Sequence, residues 1–254
     1  MEKITLTLPN KKEYFYEEAV KTLRTNIQFC GNNIRTIMMT SAMPGEGKSS
    51  TTFSLAESLT QIGKKVLLID ADIRKSVFTT RYQLGIDVKG LSQYLSGQIT
   101  RDEVVYDTNF ENLNMIFSGP YSPNPAELFE EDLFSELITW ARENYDYIII
   151  DSAPMGNLID GAIIAKLCDG SVIVVESGGV SYRLVQKVKL QLERSDCRIL
   201  GVVLNKVPME QNGYYRKYYG KYGRYDKYGK YGGHYGRYDA YQDAYREAAA
   251  GKEQ

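Results

Sequence analysis

Residues 42–49, with the sequence AMPGEGKS, have the composition and spacing of a loop that binds nucleotide phosphates. Gly45 and Gly47 lack a Cβ atom, so backbone N–H groups can turn toward a phosphate without a steric clash. Lys48 can reach the β- and γ-phosphates, and the Ser49 hydroxyl is a ligand for Mg²⁺. The pattern predicts a site for ATP and Mg²⁺ formed by Ala42, Met43, Pro44, Gly45, Glu46, Gly47, Lys48, Ser49 and Ser50.

The sequence around this loop supports the interpretation. A strand-like run precedes it and a helical pattern follows, which is the context that such a loop requires. Its first position is Ala42 instead of the usual glycine, which the backbone tolerates if φ stays negative. The alternative is a glycine-containing turn between a strand and a helix that binds no ligand.

Three aspartates follow apolar runs at the ends of two predicted strands. Asp70 and Asp72 come after the run VLLI, and Asp151 comes after YIII. An acid at the end of a buried strand can reach Mg²⁺ or its bound water beside a phosphate loop. Mg²⁺ favours a few carboxylates together with water and phosphate oxygens. Three such acids beside Ser49 would therefore suffice for the metal; the alternative for each acid is a cap or turn residue.

Apolar runs alternate with helical patterns along the first 207 residues. Strands are predicted at 36–41, 66–70, 113–117, 147–151, 171–175 and 199–205, and helices at 13–29, 48–62, 126–143, 158–167 and 181–194. Gly63 and the capping box 124–127 supply helix-end signals. This alternation predicts an α/β fold, a P-loop NTPase-like three-layer sandwich with a mainly parallel sheet.

Composition excludes several other classes of protein. The chain has 254 residues, a net charge of −1 and three sparse cysteines, which argues against a polyanion binder and against a disulfide framework. The single histidine, His234, excludes a Ser/His/Asp triad and a histidine-based metal cluster in the domain. No signal peptide or run of roughly 18 apolar residues is visible, which predicts a cytoplasmic protein that reaches membranes through a partner.

A tyrosine-rich segment follows position 207. Residues 213–245 contain twelve tyrosines and no aliphatic side chain larger than alanine. A segment that cannot build a core is predicted to be a mobile extension. The chain is therefore predicted to divide into a domain at 1–207 and a flexible tail at 208–254.

The motifs 42–49, 66–72 and 147–151 resemble the Walker A, A′ and B set of bacterial tyrosine kinases, and the tail completes the match. The similarity runs from residue 13 to the C-terminus and includes the segment SPNP at 122–125. The chain looks most like the Gram-positive capsular and exopolysaccharide kinases. The alternative is a non-kinase switch ATPase of the partition or cell-division type, which carries an extra lysine at the position of Met43.

The resemblance implies an ATP-dependent protein-tyrosine kinase that uses Mg²⁺, with Ser49, Asp70 and Asp151 holding the metal directly or through water. Lys48, Asp70 and Asp72 form the expected catalytic set, with Asp72 accepting or orienting the proton of the tyrosine hydroxyl, whose pKa near 10 makes it a poor nucleophile. Arg74 and Lys75 would screen phosphate charge or be ordinary surface charges. The phosphoacceptors, modified in trans, would be Tyr214, Tyr215, Tyr218, Tyr219, Tyr222, Tyr225, Tyr228, Tyr231, Tyr235, Tyr238, Tyr241 and Tyr245.

The same resemblance implies partners. It implies a membrane adaptor of the polysaccharide co-polymerase type that activates the kinase and recruits it to the inner face of the cell membrane. It further implies a cognate tyrosine phosphatase, a ring-shaped homo-oligomer, and control of capsular or exopolysaccharide biosynthesis and export.

Two further sets of residues follow from the family pattern. Glu18, Lys21 and Arg24 match its Glu-x₂-Arg-x₂-Arg oligomerisation motif, except that lysine replaces the first arginine and cannot form the bidentate fork. The alternative is a solvated charge stripe with i,i+3 spacing. Asn205, at the end of the last strand, would contact the adenine base or simply cap the strand.

The charge of the tail predicts a switch. Positions 213–239 hold seven Lys and Arg residues against two Asp. Each phosphotyrosine carries about −1.5 to −2, so about three would cancel the excess. An unmodified tail would approach the acidic site of a neighbouring subunit and a phosphorylated tail would be repelled. Stacking on single-stranded nucleic acid, docking on an anionic membrane and a passive linker stay open, although we expect no nucleic-acid partner.

Overall fold

The computed structural model describes residues 2–8, 13–84 and 88–208 of the chain. The strands within these ranges are β1 (Glu2–Lys3), β2 (Thr36–Ser41), β3 (Val66–Ala71), β4 (Tyr106–Asp107), β5 (Leu113–Ile116), β6 (Tyr147–Ser152), β7 (Gly170–Glu176) and β8 (Ile199–Asn205). The helices are α1 (Tyr14–Phe29), α2 (Lys48–Thr60), α3 (Phe78–Arg81), α4 (Leu91–Leu95), α5 (Arg101–Val104), α6 (Pro125–Glu130), α7 (Asp132–Asn144), α8 (Asp160–Ala165) and α9 (Tyr182–Arg194). In this part of the chain, no helix combines the length and the apolar character that a membrane span needs.

The strands form one sheet in the order β1-β4-β5-β3-β6-β2-β7-β8. All strand pairs are parallel except β4 with β5. Strand β2, which leads into the phosphate loop, lies between β6 and β7. The carboxyl ends of β2, β3 and β6 therefore meet at one edge, where ligands of such sheets bind.

The two faces of the sheet bury separate apolar clusters. Met38 and Ile148 point into a cluster with the helices α4, α6, α7, α8 and α9. Their neighbours Ile37 and Ile149 point into a second cluster with α1, α2 and α3. Successive strand residues thus alternate between the two helical layers, which confirms the predicted three-layer arrangement.

The predicted elements are present, with changes at their ends. All six predicted strands form, and their ends differ from the prediction by at most one residue. Helix α2 ends at Thr60, two residues before the predicted end. Gly63 has a φ of 77° and donates a hydrogen bond to the Thr60 carbonyl (2.8 Å), as expected for a glycine that ends a helix.

The prediction of a single helix at 126–143 is wrong. The structure has two helices there, α6 and α7, which are separated at Glu131. This residue is extended, with a ψ of 148°. Phe129 and Phe134 are both buried, and their ring centroids lie 5.1 Å apart. Five residues along one continuous helix would turn these rings about 140° apart, so the break allows both to enter the same core.

The predicted capping box at 124–127 does not form. Asn124 lies at the N-cap of α6 with φ −123° and ψ 66°, and its side chain caps no backbone N–H. This backbone differs from the extended conformation that side-chain caps normally use. Pro125 is the first residue of α6, a position where the missing N–H of proline has no helical partner to lose. The short elements β1, β4, α3, α4 and α5 were not predicted, because two to five residues are too few to show a hydrophobic period.

Candidate active site

The phosphate loop connects β2 to α2 at the carboxyl edge of the sheet. Gly45 and Gly47 have φ values of 88° and 87°, a region that side chains strain. A Cβ atom at Gly47 would lie 2.0 Å from Nδ2 of Asn205. Ala42 is buried and its φ is not positive, so alanine fits the first position as expected. The loop is thus a cradle of exposed backbone at the N-terminus of a thirteen-residue helix.

Glu46 supports the loop from inside. Its side chain is buried, and its carboxylate accepts hydrogen bonds from the backbone N–H of Met43 (2.6 Å) and of Glu176 (3.2 Å). Asn205 donates from Nδ2 to the Glu46 carbonyl at 2.8 Å. Both residues therefore hold the loop in shape, a role that the loop pattern in the sequence did not reveal.

Lys48 and Asp151 form the centre of the site. The Lys48 Nζ atom lies 2.7 Å from Oδ2 of Asp151, and both side chains are almost fully buried. The same carboxylate accepts hydrogen bonds from Ser49 (2.6 Å) and from Thr52 (2.8 Å). The predicted cation, hydroxyl and acid therefore converge, and Thr52 joins them because it lies one helical turn after Lys48.

Asp70 lies beside Asp151 at the end of β3. Burial and the neighbouring carboxylate of Asp151 raise the pKa of Asp70 to about 7. Its carboxylate accepts hydrogen bonds from Ser76 and from the Asp72 backbone N–H. The described residues contain no group of three or more His, Cys, Asp and Glu side chains placed to hold a metal. The three acids Asp70, Asp72 and Asp151 therefore do not by themselves form a cation site.

Asp72 lies directly after β3, in the segment that leads to α3. Its Oδ1 atom accepts a hydrogen bond from the Lys75 backbone N–H at 3.0 Å, and the residue is 9% exposed. Arg74, which the sequence suggested as a phosphate-screening cation, forms a bidentate pair with the buried carboxylate of Asp160, at 2.6 and 2.9 Å. The Arg74 charge is therefore balanced within the domain.

These groups border a cavity of about 750 Å³. Of the nine residues predicted for the loop, all except the buried Glu46 line it, together with Asp72, Arg74 and Lys75. Arg81 of α3 also lines this cavity and donates a hydrogen bond to the Ser50 hydroxyl. The sequence did not indicate Arg81, because the four-residue helix that carries it leaves no periodic signal.

The residues expected at an oligomer interface lie on α1. Lys21 pairs with Glu18 at 2.6 Å on the exposed side of the helix. Arg24 instead contacts α2, where its Nη1 atom donates to the carbonyl (2.8 Å) and hydroxyl (3.1 Å) of Ser58. The twelve tail tyrosines predicted as phosphoacceptors lie outside the described residues.

Known proteins resemble this chain over most of its length. Residues 34–194 match the family model described as an AAA domain. The chain is 42% identical over 224 residues to tyrosine-protein kinase CpsD of Streptococcus pneumoniae, which covers 85% of this chain and 99% of that relative. It is 38% identical over 205 residues to tyrosine-protein kinase YwqD of Bacillus subtilis, and the match covers 80% of this chain and 86% of that relative.

Solved structures show the same fold. The chimerical protein CapA2B2 superposes with a TM-score of 0.73 at 30% identity and covers 82% of this chain and 95% of its own. The kinase domain of Escherichia coli tyrosine kinase ETK gives a TM-score of 0.71 at 29% identity, covering 87% and 80%. The septum site-determining protein MinD of Pyrococcus horikoshii, complexed with Mg-ADP, gives a TM-score of 0.57 at 24% identity. The match covers 70% of this chain and 72% of that one, and it shows a likeness of fold alone.

Proposed function

The chain belongs to the tyrosine-protein kinases of the Gram-positive capsular type, and from this membership we propose that it phosphorylates tyrosines in the C-terminal tail of a second copy. Its enzyme class, an ATP:protein-tyrosine phosphotransferase, follows from the family. The observation that carries the proposal is the convergence of Lys48, Ser49 and Asp151 beneath the glycine loop, with Asp72 beside them.

The donor atoms of this site suit ATP with Mg²⁺. The positive φ values of Gly45 and Gly47 leave the backbone N–H groups open to phosphate oxygens, and the start of α2 adds the positive end of a helix dipole. Ser49, Asp70 and Asp151 offer hard oxygen ligands of the kind that Mg²⁺ takes. When bound, the metal would neutralise charge on the β- and γ-phosphates. Asn205, whose amide donates a hydrogen bond to the Glu46 carbonyl of the loop, would contact the adenine base.

The residues of the chain would then position the reactants. Lys48, which pairs with Asp151 in the described structure, would turn its ammonium group to the terminal phosphates. Asp72 would accept the proton of the attacking tyrosine hydroxyl, because its Oδ1 atom already holds the Lys75 N–H and the other oxygen has no hydrogen bond in the described residues. Catalysis of this kind depends mainly on alignment and on charge neutralisation.

The tail supplies the acceptors and a switch in charge. Seven basic residues against two acids within 213–239 would draw the unmodified tail toward a site that contains Asp70, Asp72 and Asp151. Added phosphates would reverse that attraction. We propose that this change releases subunits from a ring-shaped oligomer in which Glu18, Lys21 and Arg24 take part.

The family membership supports a cellular role. We propose that a membrane adaptor of the polysaccharide co-polymerase type activates the kinase and holds it at the inner face of the cell membrane. The likeness to a chimerical protein, CapA2B2, is consistent with a kinase that acts together with a second polypeptide. A cognate tyrosine phosphatase would remove the phosphates, and the cycle would control capsular or exopolysaccharide assembly and export.

Radiolabelled ATP tests the proposal. The full chain, incubated with Mg²⁺ and with an adaptor segment, is expected to label tyrosines within 214–245, and Lys48→Met is expected to remove the label. A switch ATPase of the partition type would instead release phosphate, form no phosphotyrosine and behave the same without its tail. Absence of phosphotyrosine under these conditions would reject the kinase assignment.

A further inference from the structure

A second cavity of about 810 Å³ opens beside the nucleotide site. It lies between α3, the start of α4 and the loop that follows β5. It shares Asp72, Arg74 and Lys75 with the nucleotide cavity, and none of its other lining residues belongs to the phosphate loop. The expected proton acceptor therefore stands where the two cavities meet.

One wall of this cavity is held firmly by contacts between α4 and the loop 118–121. Ser92 donates a hydrogen bond to the Pro120 carbonyl at 2.7 Å. The backbones of Gly90 and Gly119 are so close that a Cβ atom on Gly90 would lie 2.0 Å from the Gly119 nitrogen. These contacts fix the backbone that presents Tyr121, whose side chain is 70% exposed at the edge of the cavity.

Most of the cation charge along this cavity is already balanced. Arg74 pairs with Asp160, and Lys89 pairs with Glu103 at 2.6 Å. Asp72 faces the same space. A basic segment can therefore enter, whereas a wall of unpaired cations would repel it.

We propose that this cavity, which we call the acceptor groove, binds the tyrosine-bearing tail segment of a second copy of the chain. Tyr121 offers its ring as a platform against which an acceptor tyrosine packs. The acceptor hydroxyl then points to Asp72 at the boundary with the nucleotide cavity. This inference rests on the proposed function and deepens it by assigning the acceptor site and a residue that determines its specificity.

The proposed transfer exchanges one phosphorus–oxygen bond for another. The phenolic oxygen of the acceptor forms a bond to the γ-phosphorus of ATP, and the bond from that phosphorus to the β,γ-bridging oxygen breaks. Asp72 takes the phenolic proton, and ADP keeps the electron pair of the broken bond. The products are phosphotyrosine and ADP. The new phosphate would lie near Lys75, which lines both cavities and can balance part of its charge until the tail leaves.

The groove is tested with two full-length chains, one that acts only as the enzyme and one that acts only as the acceptor. The enzyme is the chain with its twelve tail tyrosines replaced by phenylalanine, and the acceptor is the full-length Lys48→Met chain. In the enzyme, Tyr121→Ala is expected to raise the KM for the acceptor about three- to tenfold, the range of an aromatic pair. The KM for ATP is expected to stay unchanged. Tyr121→Phe keeps the ring and is expected to match the parent.

Tyr182→Ala is the matched control, because Tyr182 is similarly exposed, at 75%, and lies on α9, where it lines neither the groove nor the nucleotide cavity. Equal acceptor KM values for Tyr121→Ala and Tyr182→Ala would overturn the groove while the kinase function stands. A loss with Tyr121→Phe as large as with alanine would overturn the role of the ring. If the parent enzyme labels no acceptor tyrosine, the proposed function fails first, and the groove with it.

The charge of the groove offers a second measurement. Thr80 lines it from the exposed side of α3. Thr80→Glu is expected to lower the KM for the basic tail and Thr80→Arg to raise it, with both effects shrinking as salt screens the charges. Equal KM values for the two variants at low salt would contradict docking of the basic tail in this groove.

Discussion

Asp70 and Asp151 are directly paired positions on the neighbouring parallel strands β3 and β6. Adjacent strands lie about 4.8 Å apart, so this register brings two fully buried carboxylates side by side. Lys48 lies against one of them. The site is therefore short of positive charge, a deficit that a bound divalent cation would relieve.

Replacing Asp70 is expected to stabilise the metal-free domain and to remove its activity. The pKa of Asp70 is about 7 in the folded state, against about 4 in an unfolded chain. The folded state therefore binds an extra proton between these pH values, and stability falls as pH rises from about 4 to about 7. Asp70→Asn removes this loss, so it is expected to be more stable than the parent at pH 8, by up to a few kcal/mol at about 1.4 kcal/mol per pKa unit.

Chemical denaturation at pH 8 and pH 5 measures this effect. The gain from Asp70→Asn is expected to shrink at pH 5, where the parent Asp70 is itself protonated. Mg²⁺ with ATP is expected to stabilise the parent and not the variant. A variant that is less stable than the parent at pH 8 would contradict the raised pKa.

Lys48→Met is expected to abolish transfer and also to weaken the domain. The change leaves the buried Asp151 carboxylate without its cation, and breaking such a pair costs about 3 kcal/mol. The folded domain is expected to persist with a lower unfolding free energy.

The double variant Lys48→Met/Asp151→Asn separates the two effects. It removes both charges and is expected to regain most of the stability without regaining activity. Denaturation curves and labelling of the same preparations measure both properties. A single variant as stable as the parent would mean that the ion pair contributes nothing.

Gly47→Ala is expected to abolish ATP binding. The residue has a positive φ, and a Cβ atom there would collide with Asn205. Gly63→Ala is the matched control, because Gly63 has a φ of 77° and open space around it at the other end of α2. Both changes incur a backbone cost of about 1 kcal/mol, but only Gly47→Ala is expected to lose affinity in calorimetric titration with ATP. If Gly63→Ala also lost affinity for ATP, backbone strain and not the collision with Asn205 would account for the effect of Gly47→Ala.

Arg24 and Lys21 are expected to differ in a test of monomer stability. Arg24→Ala removes hydrogen bonds from α1 to Ser58 of α2, with an expected loss of about 1 to 2 kcal/mol. Lys21→Ala affects an exposed pair that water screens, so little change in stability is expected. Denaturation at low protein concentration, with light scattering for assembly, measures both. If Arg24→Ala loses assembly only under conditions where it also loses stability, Arg24 supports the fold of the subunit and does not contact the neighbouring subunit directly.

Local patterns predicted much of this site. Six apolar runs predicted six strands because buried parallel strands must be apolar along their length. The loop pattern also predicted that Lys48 and Ser49 would begin a helix beside the end of β6, because a glycine turn between a strand and a helix fixes the backbone around it. The same reasoning failed at Glu131, where the need to bury both Phe129 and Phe134 overrode the helical propensity of the segment.

The sequence by itself determined the phosphate loop, the apolar strands and the acids that end them, since each depends on neighbouring residues in the chain. Tertiary structure alone decided that Asp70 faces Asp151, that Arg74 is held by Asp160, and that Glu46 holds the loop from inside. It also decided that the loop after β5 meets α4 to form a groove beside Asp72. These contacts join residues far apart along the chain, and strand order, register and close packing set them without leaving a local signal.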